Sequence, residues 1–121
     1  MAKILVIEDE KNLRVLYSQD LAQDGFEVVT AATATEGLAL VASEKPDLVV
    51  MDIRLPGMDG LEAMSRLLDK HPRIPVVLNS AYSSYKDSFM SWSADAYVVK
   101  SADTGELRAR VRELLAARAE G

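Results

Sequence analysis

Asp52 closes a short apolar run, residues 48–52 (LVVMD), and Glu8, Asp9, Ser80 and Lys100 stand at or just past the ends of similar runs elsewhere in the chain. If those runs are parallel strands of one sheet, the five side chains converge, because ligands bind outside the carboxyl ends of such strands. Three acids, a hydroxyl and a lysine in that place suit an acyl-phosphate switch. Asp52 as nucleophile must attack a phosphorus that carries anionic oxygens, so a divalent cation is needed to cancel the repulsion. Lys100 can neutralise a phosphoryl or carboxylate oxygen as a compact point charge, and Ser80 can donate its hydroxyl to another. Together they would stabilise the charge of an in-line transfer. The chain has no cysteine. Any metal is therefore a hard cation on oxygen ligands, Mg2+ (or Mn2+) fitting best.

The elements that must position these groups are legible in the periodicity. Residues 3–7 (KILVI), 27–31 (EVVTA), 48–52, 76–80 (VVLNS) and 96–99 (AYVV) are short, β-branched and bounded by breakers, as strands are. Between them lie helical spacings: Leu13, Leu16, Tyr17 and Leu21; Leu38, Val41 and Ala42; Leu61, Met64, Leu67 and Leu68. Gly25 reads as a C-terminal cap, Pro46 follows the second helix, and Pro72 and Pro75 bracket the turn into the fourth strand. A last helix is expected from near Asp103, with Glu106 as capping-box partner and Leu107, Val111, Leu114 and Leu115 inward. The fourth crossover, residues 83–93, is rich in serine and reads as a short helix. Strict β–α alternation implies a doubly wound α/β fold, flavodoxin-like. It has a five-stranded parallel sheet of order 2-1-3-4-5, five helices, and its crevice beside strands one and three.

Composition bounds the class. At 121 residues, 49% hydrophobic and 27% charged, the chain is one globular domain over 1–121, with 119–121 a frayed end or cloning remnant. A net charge of -5 argues against direct contact with nucleic acid. No apolar run approaches the roughly 20 residues that span a bilayer, and the start turns acidic too early for a signal peptide, so a cytoplasmic protein without membrane association is expected.

These residues resemble the receiver domain of two-component response regulators, along the whole chain and in order. The matching segments are ILVIEDE with Glu8 and Asp9, PDLVVMDIRLPGMDGLE with Asp52, VVLNSA with Ser80, and ADAYVVK with Tyr97 and Lys100. The resemblance implies Asp52 as phosphoacceptor, with Asp9, Asp52, the Arg54 carbonyl and Glu8 as metal ligands, Glu8 directly or through water. Ser80 and Tyr97 are implied as the switch pair, moving a surface formed by the fourth crossover, fifth strand and last helix. Arg54 and Tyr82 match positions that tune dephosphorylation, and a long cation and a bulky ring there point to a long-lived phosphorylated state. Implied partners are a sensor histidine kinase or a histidine phosphotransfer protein. The switch catalyses only its own phosphorylation and dephosphorylation.

Other residues have plainer roles. Asp59 reads as a helix N-cap, Pro56, Gly57 and Gly60 as turn chemistry, His71 as a solvated helix end without a phosphate-carrying role, and Trp92 as packing under the fourth crossover. Two departures from the receiver pattern stand out. Ser101 follows Lys100 where a proline is usual, which makes that peptide trans or strained. Asp95, Glu106, Arg110 and Arg112 match part of a dimerising charge pattern that Ala96 breaks. A monomer is expected, with a phosphorylation-promoted homodimer and ordinary solvated charges both open.

Three rival functions remain. A flavodoxin-like electron carrier needs a phosphate loop rich in Gly, Ser and Thr where this chain has Glu8, Asp9, Glu10 and Lys11. An aspartyl phosphatase carries a second acid where Arg54 stands. A degenerate receiver, acting as a phosphorylation-independent interaction module, would not be expected to keep all five site residues.

Overall fold

The computed structural model describes residues 1–81 and 93–120. Five strands, β1 (Lys3–Ile7), β2 (Glu27–Ala31), β3 (Leu48–Met51), β4 (Val76–Ser80) and β5 (Ala96–Val99), form one sheet of order β2-β1-β3-β4-β5. Every pairing is parallel. The helices among the described residues are α1 (Lys11–Gln23), α2 (Ala34–Glu44), α3 (Gly60–Lys70) and α4 (Gly105–Glu120). The expected five-helix count therefore becomes four here, because the fourth crossover, with Tyr82 and Trp92, lies outside the described residues.

The central strands are buried on both faces, as parallel strands between two helical layers must be. One face packs Leu5, Ile7, Val49, Met51, Val76 and Leu78 against residues of α2 and α3. The other packs Ile4, Val6, Val50, Val77 and Val98 against Tyr17 and Leu21 of α1 and Leu107 and Val111 of α4. Strand side chains alternate, so consecutive residues at a strand end are sent to different layers.

Local punctuation follows the sequence with small shifts. Gly25, at φ 93, takes the left-handed position just past α1. Asp59 caps α3, its Oδ1 accepting the Leu61 N–H at 2.6 Å. β3 ends at Met51 rather than Asp52, although the Asp52 N–H still donates to the Ile7 carbonyl at 3.3 Å. Ala42 is exposed rather than inward; Gly37, with Val41, takes the buried side of α2 beside Ile7. The last helix starts at Gly105, and the Asp103 N–H goes to Ser101 Oγ rather than to the expected capping-box partner Glu106.

Candidate functional site

Val6, Val50, Val77 and Val98 share one face of the sheet. Two residues beyond each stand Glu8, Asp52, Asn79 and Lys100, which strand alternation sends to that same face at the carboxyl edge. Lys100 Nζ donates to Asp52 Oδ2 at 2.7 Å and to Glu8 Oε1 at 2.5 Å. The remaining carboxylate oxygens meet backbone donors: Glu8 Oε2 takes the Glu10 N–H at 3.0 Å, and Asp52 Oδ1 takes the Arg54 N–H at 3.2 Å. Arg14 of α1 steadies the acidic loop, its guanidinium donating to the carbonyls of Glu8 at 2.8 Å and Asp9 at 3.3 Å.

One ammonium here serves two carboxylates, and the electrostatics follow. Burial drives the Glu8 carboxyl upward, and the neighbouring Asp52 charge adds to the rise, while the hydrogen bonds from Lys100 and the Glu10 N–H only partly offset it. Burial alone would pull Lys100 down, but its hydrogen bonds to Asp52 and Glu8 outweigh that and hold it above the ordinary lysine value. Lys100 is therefore a fixed cation.

Glu8, Asp9 and Asp52 bring carboxylate oxygens within 4.8 Å of one another. Glu8 and Asp52 are buried and Asp9 is exposed to the crevice. An all-oxygen, acidic donor set open on one side fits a hard divalent cation that keeps part of its water shell, as magnesium does. The open side is a cavity of about 540 Å³ lined by Asp9, Arg54, Leu55, Pro56, Gly57 and Asp59.

The floor of that crevice is set by a close approach of backbone to backbone. Gly60 donates to the Ile53 carbonyl at 2.6 Å, and a Cβ on it would fall 2.1 Å from the Asp52 carbonyl oxygen. Only glycine lets α3 begin so near the strand end that carries Asp52.

Ser80 is buried and faces the opposite layer, two residues past Leu78. Tyr97 pairs with Leu78, and Ser80 with Val99. The expected pair thus shares a face, but Tyr97 sits a full side-chain repeat below Ser80 rather than at the strand end. Among the described residues there is no cis peptide, so Lys100 to Ser101 is trans. Lys100 nevertheless reaches both acids, anchored by its own N–H on the Ser80 carbonyl at 2.7 Å.

Three of the four charges expected on a dimer face, Asp95, Arg110 and Arg112, have partners within one copy, although the Arg110 Nε is buried without one among the described residues. Asp95 Oδ2 accepts the Val76 N–H at 2.8 Å, Arg110 pairs with Glu113 at 3.0 Å, and Arg112 pairs with Asp24 at 3.0 Å. Sequence reasoning placed Tyr17 only in the core and passed over Asn79. Both are buried, and the Asn79 side chain lies beside the Tyr17 hydroxyl. The signal was an amide two positions past Val77, the spacing that also separates Glu8 from Val6.

The family model described as "Response regulator receiver domain" matches residues 4–112. The alkaline phosphatase synthesis transcriptional regulatory protein PhoP of Bacillus subtilis is 34% identical over 115 residues, 93% of this chain and 48% of that protein. The chain thus spans about half the length of such curated relatives. Among solved structures, the response regulator TrrA of Thermotoga maritima in complex with Mg(2+)-BeF superimposes with a TM-score of 0.91 at 40% identity, covering 94% of this chain and 99% of that one. TrrA in complex with the histidine kinase ThkA gives 0.89 at 41%, covering 95% and 99%. With its order of strands, its acidic edge and these likenesses, the chain belongs to the receiver domains of two-component response regulators.

Proposed function

We propose that this receiver is a phosphorylation-activated switch whose Asp52 accepts a phosphoryl group from a sensor histidine kinase or a histidine phosphotransfer protein. The observation that carries this is the Lys100 ammonium 2.7 Å from Asp52 Oδ2 at the sheet's carboxyl edge. An Asp52 oxygen attacks phosphorus in line, an O–P bond forms, the P–N bond to the donor histidine breaks, and imidazole leaves. Lys100 and the Ser80 hydroxyl take the charge on the transferring oxygens. Mg2+ (or Mn2+), when bound by Glu8, Asp9, Asp52 and the Arg54 carbonyl, supplies the positive charge that lets carboxylate and phosphate approach.

The new dianion draws Ser80 toward it, and Tyr97, on the same face, moves into the space released. That changes the surface around β5 and α4. Exposed Arg54, together with Tyr82, restricts water at the acyl phosphate, so the phosphorylated state is long-lived. No separate substrate is turned over. The protein works as a cytoplasmic monomer, a state supported by the internal pairing of Asp95, Arg110 and Arg112. The existence of a TrrA–kinase complex supports a kinase as donor. DNA contact would belong to another domain.

Incubation with acetyl phosphate and Mg2+ tests the acceptor. Wild type gains the mass of one phosphoryl group and Asp52→Asn does not. A gain that persists in Asp52→Asn, or no gain in wild type, overturns the assignment; the latter leaves a phosphorylation-independent interaction module.

A further inference from the structure

β4 lies between β5, which carries Lys100, and β3, which leads to Asp52. Strands are about 4.8 Å apart, so Lys100 must span roughly 10 Å to reach Asp52 and more to reach Glu8 on the far side of β3. It does reach both, at 2.7 and 2.5 Å. Its side chain therefore crosses the end of β4 on the face shared with α1 and α4. The β4 residue presented to that face is Asn79, which stands opposite Val98 in the ladder and continues the row from Val77.

Asn79 is 3% exposed and its neighbour Tyr17 is 2% exposed. A buried amide and phenol cost desolvation that apolar residues in the same place would not. Tyr17 packs with Val6, Val50, Val77 and Val98, on the face of the sheet that leads to Glu8, Asp52, Asn79 and Lys100. We infer that Tyr17 and Asn79 are positioning residues: these two buried polar side chains form the floor over which Lys100 is stretched, and they fix the ammonium on Asp52. This rests on the role given to Lys100 under the proposed function.

The pair acts through Lys100, so its loss matters only while Lys100 is present. Phosphorylation rates with acetyl phosphate and Mg2+ are compared for wild type, Tyr17→Phe, Asn79→Leu, Lys100→Ala and the combinations with Lys100→Ala. Because Asn79→Leu can fail to fold, Tyr17→Phe, which removes one oxygen, stands as the second variant. Each is expected to slow phosphorylation on the order of tenfold, as small displacements of a charge-stabilising group do, and to add nothing in the Lys100→Ala background. In metal-free protein, the Lys100 ε-carbon resonance, assigned by its loss in Lys100→Ala, is expected to shift in Tyr17→Phe. Rates at the wild-type level in Tyr17→Phe and Asn79→Leu, with Lys100→Ala slow, overturn this inference alone. Slowing that persists undiminished without Lys100 also overturns it. A wild-type rate in Lys100→Ala overturns the role of Lys100 and the positioning of it together.

Discussion

Lys100 and Glu8 are 92 positions apart in the chain and joined by a 2.5 Å ion pair that passes over the ends of β4 and β3. With the 2.7 Å bond to Asp52, this pair draws three strands of the sheet together at the site. The lysine is thus a structural counter-charge before it is a partner for phosphate.

Removing that cation leaves two buried carboxylates facing each other. Lys100→Met is expected to destabilise the metal-free protein by about 3 kcal/mol, since a buried pair broken on one side strands the other. Mg2+ should restore part of the loss by binding the folded state alone. Urea unfolding with and without Mg2+ checks this; a variant as stable as wild type without metal would count against it.

Gly60 and Gly57 make opposite expectations. Gly60→Ala puts a methyl 2.1 Å from the Asp52 carbonyl and should cost roughly 2 to 3 kcal/mol while slowing phosphorylation, because the strand end or α3 must shift. Gly57→Ala, at φ 80 with nothing within 4 Å, should cost only about 1 kcal/mol of backbone strain and leave Asp52 in place. Equal effects of the two on phosphorylation would contradict the close-approach account.

The sheet order, and the gathering of Glu8, Asp9, Asp52 and Lys100 at its carboxyl edge, could be read from the sequence because each lies at the end of a compact apolar run, where period and position agree. What escaped was the layer to which each residue turns. Ser80 and Asn79 are neighbours in the chain yet face opposite helical layers, and only the observed strand alternation separates the Tyr97 side from the Tyr17 side. The intramolecular partner of Arg112 escaped for a similar reason: it meets Asp24 across 88 positions, a pairing between the end of α1 and α4 that no local pattern signals.

Asp24 gives the fold a pH dependence. Its hydrogen bond from Arg108, with Arg112 beside it, holds the carboxyl below the ordinary value of 3.8 despite some burial. A carboxyl depressed on folding contributes stability above 3.8, and that contribution disappears as pH falls below it toward the folded value. Wild type should therefore melt higher than Asp24→Asn at pH 7, and the gap should close in acid. A gap of constant size across the titration would exclude the linkage.

On the proposed function, water access sets the lifetime of the acyl phosphate. The Arg54→Ala, Tyr82→Ala double variant is expected to lose its phosphoryl group on the order of tenfold faster than wild type, through exposure of the phosphorus to solvent. Loss of radiolabelled phosphate after removal of the donor measures it. Slower loss in the variant would reverse the assignment.

Titration with beryllofluoride and Mg2+, followed by the fluorescence of the single tryptophan, Trp92, bears most directly on the central claim. Wild type is expected to give a saturable response that requires Mg2+ and vanishes in Asp52→Asn. A response that survives in Asp52→Asn, or none in wild type, would contradict Asp52 as the acceptor of a working switch.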